Sequence, residues 1–134
     1  MANIGAYGGK ALLDWSLLGA TPTRPPAIWL GVSKSAPNST DGVETSWPAS
    51  QGNHRATISF GAAGSPADLA TNSLAATFGI MSALTTIRGW SLWDTGNGIA
   101  SGNMLWFGTL TTARTCSAGD TLVFAAGSLS ISLS

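Results

Sequence analysis

The sequence predicts an all-β fold, a β-sandwich of about eight short strands with one short N-terminal helix. Three observations lead there. Short runs of residues either alternate apolar and polar side chains or are continuously apolar, as half-buried and fully buried strands do. Clusters of Gly, Asn, Asp, Ser and Pro separate these runs, at roughly 8–12-residue intervals in the second half, which is the spacing of sandwiches and barrels. No helical pattern lies between the later strands, which excludes a parallel α/β architecture. A jelly roll is the preferred topology, because it closes strands of this number into two sheets. An immunoglobulin-like sandwich is the runner-up, since connectivity leaves no local trace.

The elements follow in chain order. Residues 1–9 are small, Gly-rich and uncharged, and read as a flexible arm or a chain start tied down only by a partner, preceding a single sandwich domain over 10–134. Residues 10–18 form the helix. Ala11, Leu12, Leu13, Trp15, Leu17 and Leu18 are apolar, Gly19 suits a left-handed cap, and Pro22 follows. A helix apolar on most of its circumference is expected to be buried on more than one side. After the Pro-rich residues 21–26, residues 28–32 read as a buried strand. Residues 33–51 are a long loop with Pro37, Gly42 and Pro48, and 43–47 is its candidate for a short edge strand. In residues 55–60, Ala56, Ile58 and Phe60 face one way and Arg55, Thr57 and Ser59 the other. Further strands are expected at 74–78, 88–93, 104–110, 112–116, 121–124 and 129–133, with turns at 94–98 and 117–120.

Composition narrows the function. Only 9% of the 134 residues are charged, six basic against six acidic, and hydrophobic residues make up 44%. An ordinary soluble domain carries about 25% charged residues. Six scattered cations make no phosphate-tracking stripe, so nucleic acid is not an expected partner. No apolar run is long enough for a membrane-spanning helix, and the first residues have no signal-peptide pattern. A neutral chain with so little charge favours association. Its surface is expected to be covered by other copies of itself, a trimer before a dimer, or by another protein.

The search for chemistry yields no catalytic constellation, no cofactor motif and no metal set, so the chain is not expected to be an enzyme. Cys116 is the one cysteine and His54 the one histidine, and neither has a partner at catalytic or metal-ligand spacing. Asp94 and Asp120 sit at turns, where aspartates bond nearby backbone. Asp14 lies in the helix, Asp68 in a Gly/Ala/Pro loop, and Asp41 and Glu44 in the long loop without the oxygen periodicity of a calcium site. Gly8-Gly9-Lys10 lacks the upstream glycine and the following Ser or Thr of a phosphate loop. The six tryptophans are Trp15, Trp29, Trp47, Trp90, Trp93 and Trp106. They suit a core and subunit contacts better than a sugar platform, because Trp90 and Trp93 point to opposite faces of one strand. The expected interface anchors are Ile4 and Tyr7 in the arm and Trp47 in the long loop.

Three segments together are more specific. They are Arg88-Gly89-Trp90-Ser91-Leu92-Trp93-Asp94, then Gly102-Asn103-Met104-Leu105-Trp106-Phe107-Gly108-Thr109-Leu110-Thr111-Thr112, then Ser117-Ala118-Gly119-Asp120-Thr121-Leu122. They resemble a family of small tailed-phage virion proteins, described as capsid cement, head decoration or tail-fibre-like. In that family a strand ending in an aromatic-Asp pair precedes a strand close to Asn-Leu-Leu-Phe-Tyr-Gly-Ala-Leu-Thr and a turn close to Asn-Ala-Gly-Asp. Ala27-Ile28-Trp29-Leu30-Gly31-Val32 and Arg55-Ala56-Thr57-Ile58-Ser59-Phe60-Gly61 match its earlier strands. The resemblance implies a β-sandwich and a structural role in the virion. Capsid cement, with the major capsid protein as partner and the capsid surface as location, is the expected role. A tail or neck component, or a carbohydrate- or receptor-binding module of the tail, is the alternative.

Overall fold

The computed structural model describes residues 2–42, 55–64, 69–96 and 101–132. The elements are β1 (Ala2–Ile4), α1 (Ala6–Leu18), β2 (Ile28–Ser33), β3 (Ala56–Ile58), β4 (Leu69–Thr71), β5 (Ala76–Ile80), β6 (Thr85–Trp93), β7 (Met104–Cys116), β8 (Thr121–Phe124) and β9 (Ser130–Ser132). One antiparallel sheet has the order β1-β7-β6-β2-β3, and β4-β9 and β5-β8 form two further antiparallel pairs. The fold is therefore all-β and sandwich-like, as predicted. Five strands in one sheet and two separate pairs lend no support to the eight-stranded jelly-roll connectivity.

Alternation decides which side chains meet in the core. Leu30 and Val32 of β2, Ala56 and Ile58 of β3, Ala76 and Phe78 of β5, Leu122 and Phe124 of β8 and Ile131 of β9 all point inward and are buried. In β6 the residues that join this core are Ile87, Trp90 and Leu92, which breaks strict alternation. The cause is a register shift: Ile87 pairs with Arg114 and Gly89 with Thr109, so β7 carries extra residues opposite Arg88. Such an irregularity re-aims every side chain beyond it. The same shift explains why residues 104–110 and 112–116, read as two strands, are one continuous strand, β7.

The outer face of β2 and β6 is covered by the loop that follows β2. Ser33 and Ser91 are fully buried there, the Ser33 hydroxyl donating to the Ser35 carbonyl and the Ser91 hydroxyl accepting from the Trp93 Nε1. A Cβ on Gly42 would lie 2.8 Å from the Ser91 hydroxyl and from the Trp93 ring, and one on Gly89 would lie 2.5 Å from the Pro37 ring. Asn38 holds this loop's turn, its Oδ1 accepting from the Thr40 and Asp41 amides. Across the molecule, buried Asn72 ties two edges together. Its Nδ2 donates to the Leu74 and Ala125 carbonyls, and its Oδ1 accepts from the Leu129 amide.

Two expectations at the N-terminus are corrected. Residues 2–9 do not hang free: Ala2, Asn3 and Ile4 pair with Gly108, Phe107 and Trp106 as the sheet's edge strand. The helix then begins at Ala6 rather than at residue 10. Gly8 and Gly9 are poor helix formers, which hides this start in the sequence. The helix is also not buried on several sides, for none of its residues is buried. Its end at Gly19 is as expected, with φ 69° in the left-handed region. β4 is an addition to the predicted strands, and the strand expected at 74–78 lies at Ala76–Ile80. The edge strand expected at 43–47 lies outside the described residues.

Candidate interaction surface

Helix α1 lies across the β1–β7 edge of the sheet and touches it chiefly through glycine. The Gly5 amide donates to the Leu105 carbonyl at 2.8 Å and the Ala6 amide to the Ser39 carbonyl at 2.9 Å. A Cβ on Gly5 would lie 2.4 Å from the Met104 carbonyl oxygen, and one on Gly8 would lie 2.6 Å from that of Leu105. Both distances are shorter than real contacts. Missing side chains let the helix backbone sit directly on the strand. The rest of the helix runs out over the Pro-rich connection instead of over the core.

The result is a large apolar exposure on one element. Tyr7 is 48% exposed, Leu13 58%, Trp15 56%, Leu17 75% and Leu18 78%. Between α1, the 22–26 connection and the outer face of β7 lies a cleft of about 560 Å³. Ile4, Tyr7, Leu12, Trp15 and Trp106 give it an apolar floor and sides, and Pro22, Pro25 and Pro26 form the far wall. Lys10 pairs with Asp14 one turn on along the helix. That carboxylate, by accepting the hydrogen bond and by its charge, holds the Lys10 ammonium above its ordinary range.

The predicted interface residues divide as follows. Ile4 and Tyr7 come together in this cleft, Ile4 from β1 and Tyr7 from the first turn of α1. Trp47 lies outside the described residues. Sequence reasoning misses Trp15, Leu13, Leu17 and the proline wall, because an all-round apolar helix reads as a buried one. Of the other tryptophans, Trp90 and Trp93 are buried, and the Trp29 ring packs on Gly96.

Polar groups considered for chemistry are committed to structure where they are described. The Asp94 carboxylate accepts from the Asn103 amide and from its side-chain Nδ2, both at 2.7 Å, and so ties the end of β6 to the residue before β7. Asp120 accepts from the Ser117 amide at 2.8 Å and closes the β7–β8 turn. Cys116 is buried. Among the described residues no group of three or more His, Cys, Asp and Glu side chains converges on a metal-binding position. No helix is long and apolar enough to cross a membrane among them. His54, Glu44 and Asp68 lie outside the described residues.

Comparison with curated proteins returns no match. A family model does match, over residues 3–132, and it is described as Podophage GP4 fiber I protein gp80. That span takes in β1 from its second residue, α1 and every later strand, so the helix and its cleft lie within the matched region. The chain belongs to this Gp80 family of bacteriophage structural proteins.

Proposed function

We propose that this chain is a structural subunit of a phage fibre, a non-enzymatic building block that attaches through an apolar surface. The observation that carries this reading is the family match over nearly the whole chain. The fold supports it physically. A rigid sandwich with its aspartates tied into turns is a scaffold, and an apolar helix left on its outside is a means of attachment. A fibre position is favoured over capsid cement because the family is named for a fibre protein. The attachment partner is then another virion protein or a further copy, in place of the major capsid protein.

Copy number tests it. Quantitative mass spectrometry of purified particles, referenced to the major capsid protein, is expected to give a few dozen copies or fewer. Hundreds of copies per particle would place the chain on the capsid surface and restore the cement role. Gold-labelled antibody seen at the tail supports the fibre, and label spread over the head overturns it.

A further inference from the structure

We propose that β1 and α1, residues 2–18, form a strap that detaches from the β7 edge as one unit while the rest of the sandwich stays folded. The strap follows from its own contacts and does not require the fibre assignment.

The first ground is what holds it. Three connections cross its boundary. They are the β1 ladder to Trp106, Phe107 and Gly108, the Gly5 amide on the Leu105 carbonyl, and the Ala6 amide on the Ser39 carbonyl. All are backbone bonds. The segment's side-chain bonds stay inside it: Lys10 with Asp14, and the Ser16 hydroxyl on the Leu13 carbonyl. Among the described residues no side-chain hydrogen bond or ion pair joins the strap to the body. The second ground is burial. No residue of α1 is buried. The closest approaches to β7, at Gly5 and Gly8, are made by residues with no side chain to withdraw. Of the strap, Ala2 alone packs against the core cluster, so lifting it takes one methyl group from the core's margin. The opposite edge strand, β3, is the contrast. It buries Ala56 and Ile58 in that cluster and cannot leave without opening it.

Segments with few buried apolar contacts open at lower free energy than the whole, and they open as contiguous units. Here the unit is both elements together. Gly5 alone separates Ile4 from the helix start at Ala6, and the Ile4 side chain packs on Gly8 and Gly9. Off the sheet, a helix this short is marginal in water, so its turns are lost with the ladder. Residues 19–27 then tether the strap, a span of at most about 30 Å. Detachment bares the backbone of β7 at residues 106–108, an open edge of the kind that templates pairing with another strand.

Native-state hydrogen exchange of the full chain, followed by NMR in urea below the unfolding transition, tests this. The amides of Gly5 and α1 are expected to share one opening constant, at least roughly 100-fold larger than that of the β2 and β6 amides, with a shallower dependence on urea. A disulfide supplies an independent arm. Asn3 and Phe107 are directly opposite in the ladder, where Cα atoms lie about 4.5–5.5 Å apart and within disulfide reach. Oxidising Asn3→Cys/Phe107→Cys is expected to slow exchange at least roughly tenfold throughout α1 as well as in β1, and reduction is expected to reverse this. Three results would each overturn the proposal. One is strap amides that exchange only with the global constant. Another is protection that declines step by step along α1 while the Gly5 amide stays as protected as β6. The third is a disulfide that protects β1 and leaves α1 unchanged. Should the cysteine variant fail to fold, the exchange of the wild type alone decides.

Discussion

Arg55 shows how one residue organises a region. Its side chain is buried at 3% exposure, so its guanidinium donors need partners there. Two backbone carbonyls meet it, Thr95 at 2.6 Å and Ser101 at 2.8 Å, and the Trp93 ring centre lies 3.9 Å from its central carbon. The guanidinium thus draws the chain on both sides of the β6–β7 connection against the sheet. Arg55→Met keeps the apolar stem but leaves the Thr95 and Ser101 carbonyls without these donors. A loss of about 2–4 kcal/mol is expected, from charged hydrogen bonds and the cation–π contact, and urea denaturation measures it. Arg55→Lys keeps the charge without the planar fork, and is expected to recover less than half of that loss. The sequence places Arg55 at the start of an alternating strand and on its polar side, which suggests water. Its burial follows from which later segments cross over it, and no local pattern records that.

At the scale of the element, α1 depends on adjacent glycines that do different jobs. Replacing a helix-interior Gly by Ala ordinarily stabilises by about 1 kcal/mol. At Gly9 the new methyl would meet only the Ile4 side chain, at an ordinary 3.7 Å. Gly9→Ala is therefore expected to stabilise by about 0.5–1 kcal/mol. At Gly8 the methyl would lie 2.6 Å from the Leu105 carbonyl oxygen, so the helix must lift off β7. Gly8→Ala is expected to destabilise by about 1–2 kcal/mol despite its better propensity. Urea midpoints compare the two, and faster hydrogen exchange at the Gly5 amide, which bonds Leu105, would locate the lifting. The Lys10–Asp14 pair adds a pH test. A lysine held above its ordinary range in the folded chain contributes stability below that range and loses it as pH rises through the raised value. The group is fully solvated, so the effect is small. The difference in stability between wild type and Lys10→Gln is expected to vanish in strong alkali. The helix itself is legible in the sequence from residue 10 onward, and so is its left-handed end at Gly19. Its true start and its exposure are not, because glycine signals a break in propensity while supplying close approach in packing. An apolar helix also reads the same whether its own fold or a neighbour covers it.

For the whole molecule, the alternation of Leu30 and Val32, Ala56 and Ile58, and Leu122 and Phe124 makes the sandwich and most of its core legible. The long β7 and the three-amino-acid strand β4 escape, since one depends on a register shift and the other on a cross-strand partner far along the chain. The layers also differ in how they are held. Five strands share one hydrogen-bonded sheet, but β4-β9 and β5-β8 are separate pairs, and isolated two-stranded units are marginal in water. β4 is also tied by backbone to the chain after β3, the Gly61 amide donating to the Thr71 carbonyl and the Ser73 amide to the Ser59 carbonyl, and the rest of the stability comes from side chains packed against the larger sheet. Phe124 of β8 is central to that packing. It is 2% exposed, meets the Phe78 ring edge-on at 6.2 Å between centres, and lies under the Arg114 guanidinium at 5.3 Å. Phe124→Ala removes the ring and leaves a cavity, a change that costs about 3–5 kcal/mol. Domains of this size hold about 5–15 kcal/mol in total, so the variant sits near the edge of folding. Thermal unfolding is expected to show Tm lowered by about 10 °C or more, with the β5-β8 pair and the five-stranded sheet lost in one transition. Leu74→Ala, at a site 65% exposed, is the control and should move Tm little. Two separate transitions for Phe124→Ala would mean that the β5-β8 layer melts on its own, and that the larger sheet does not need it to stay folded.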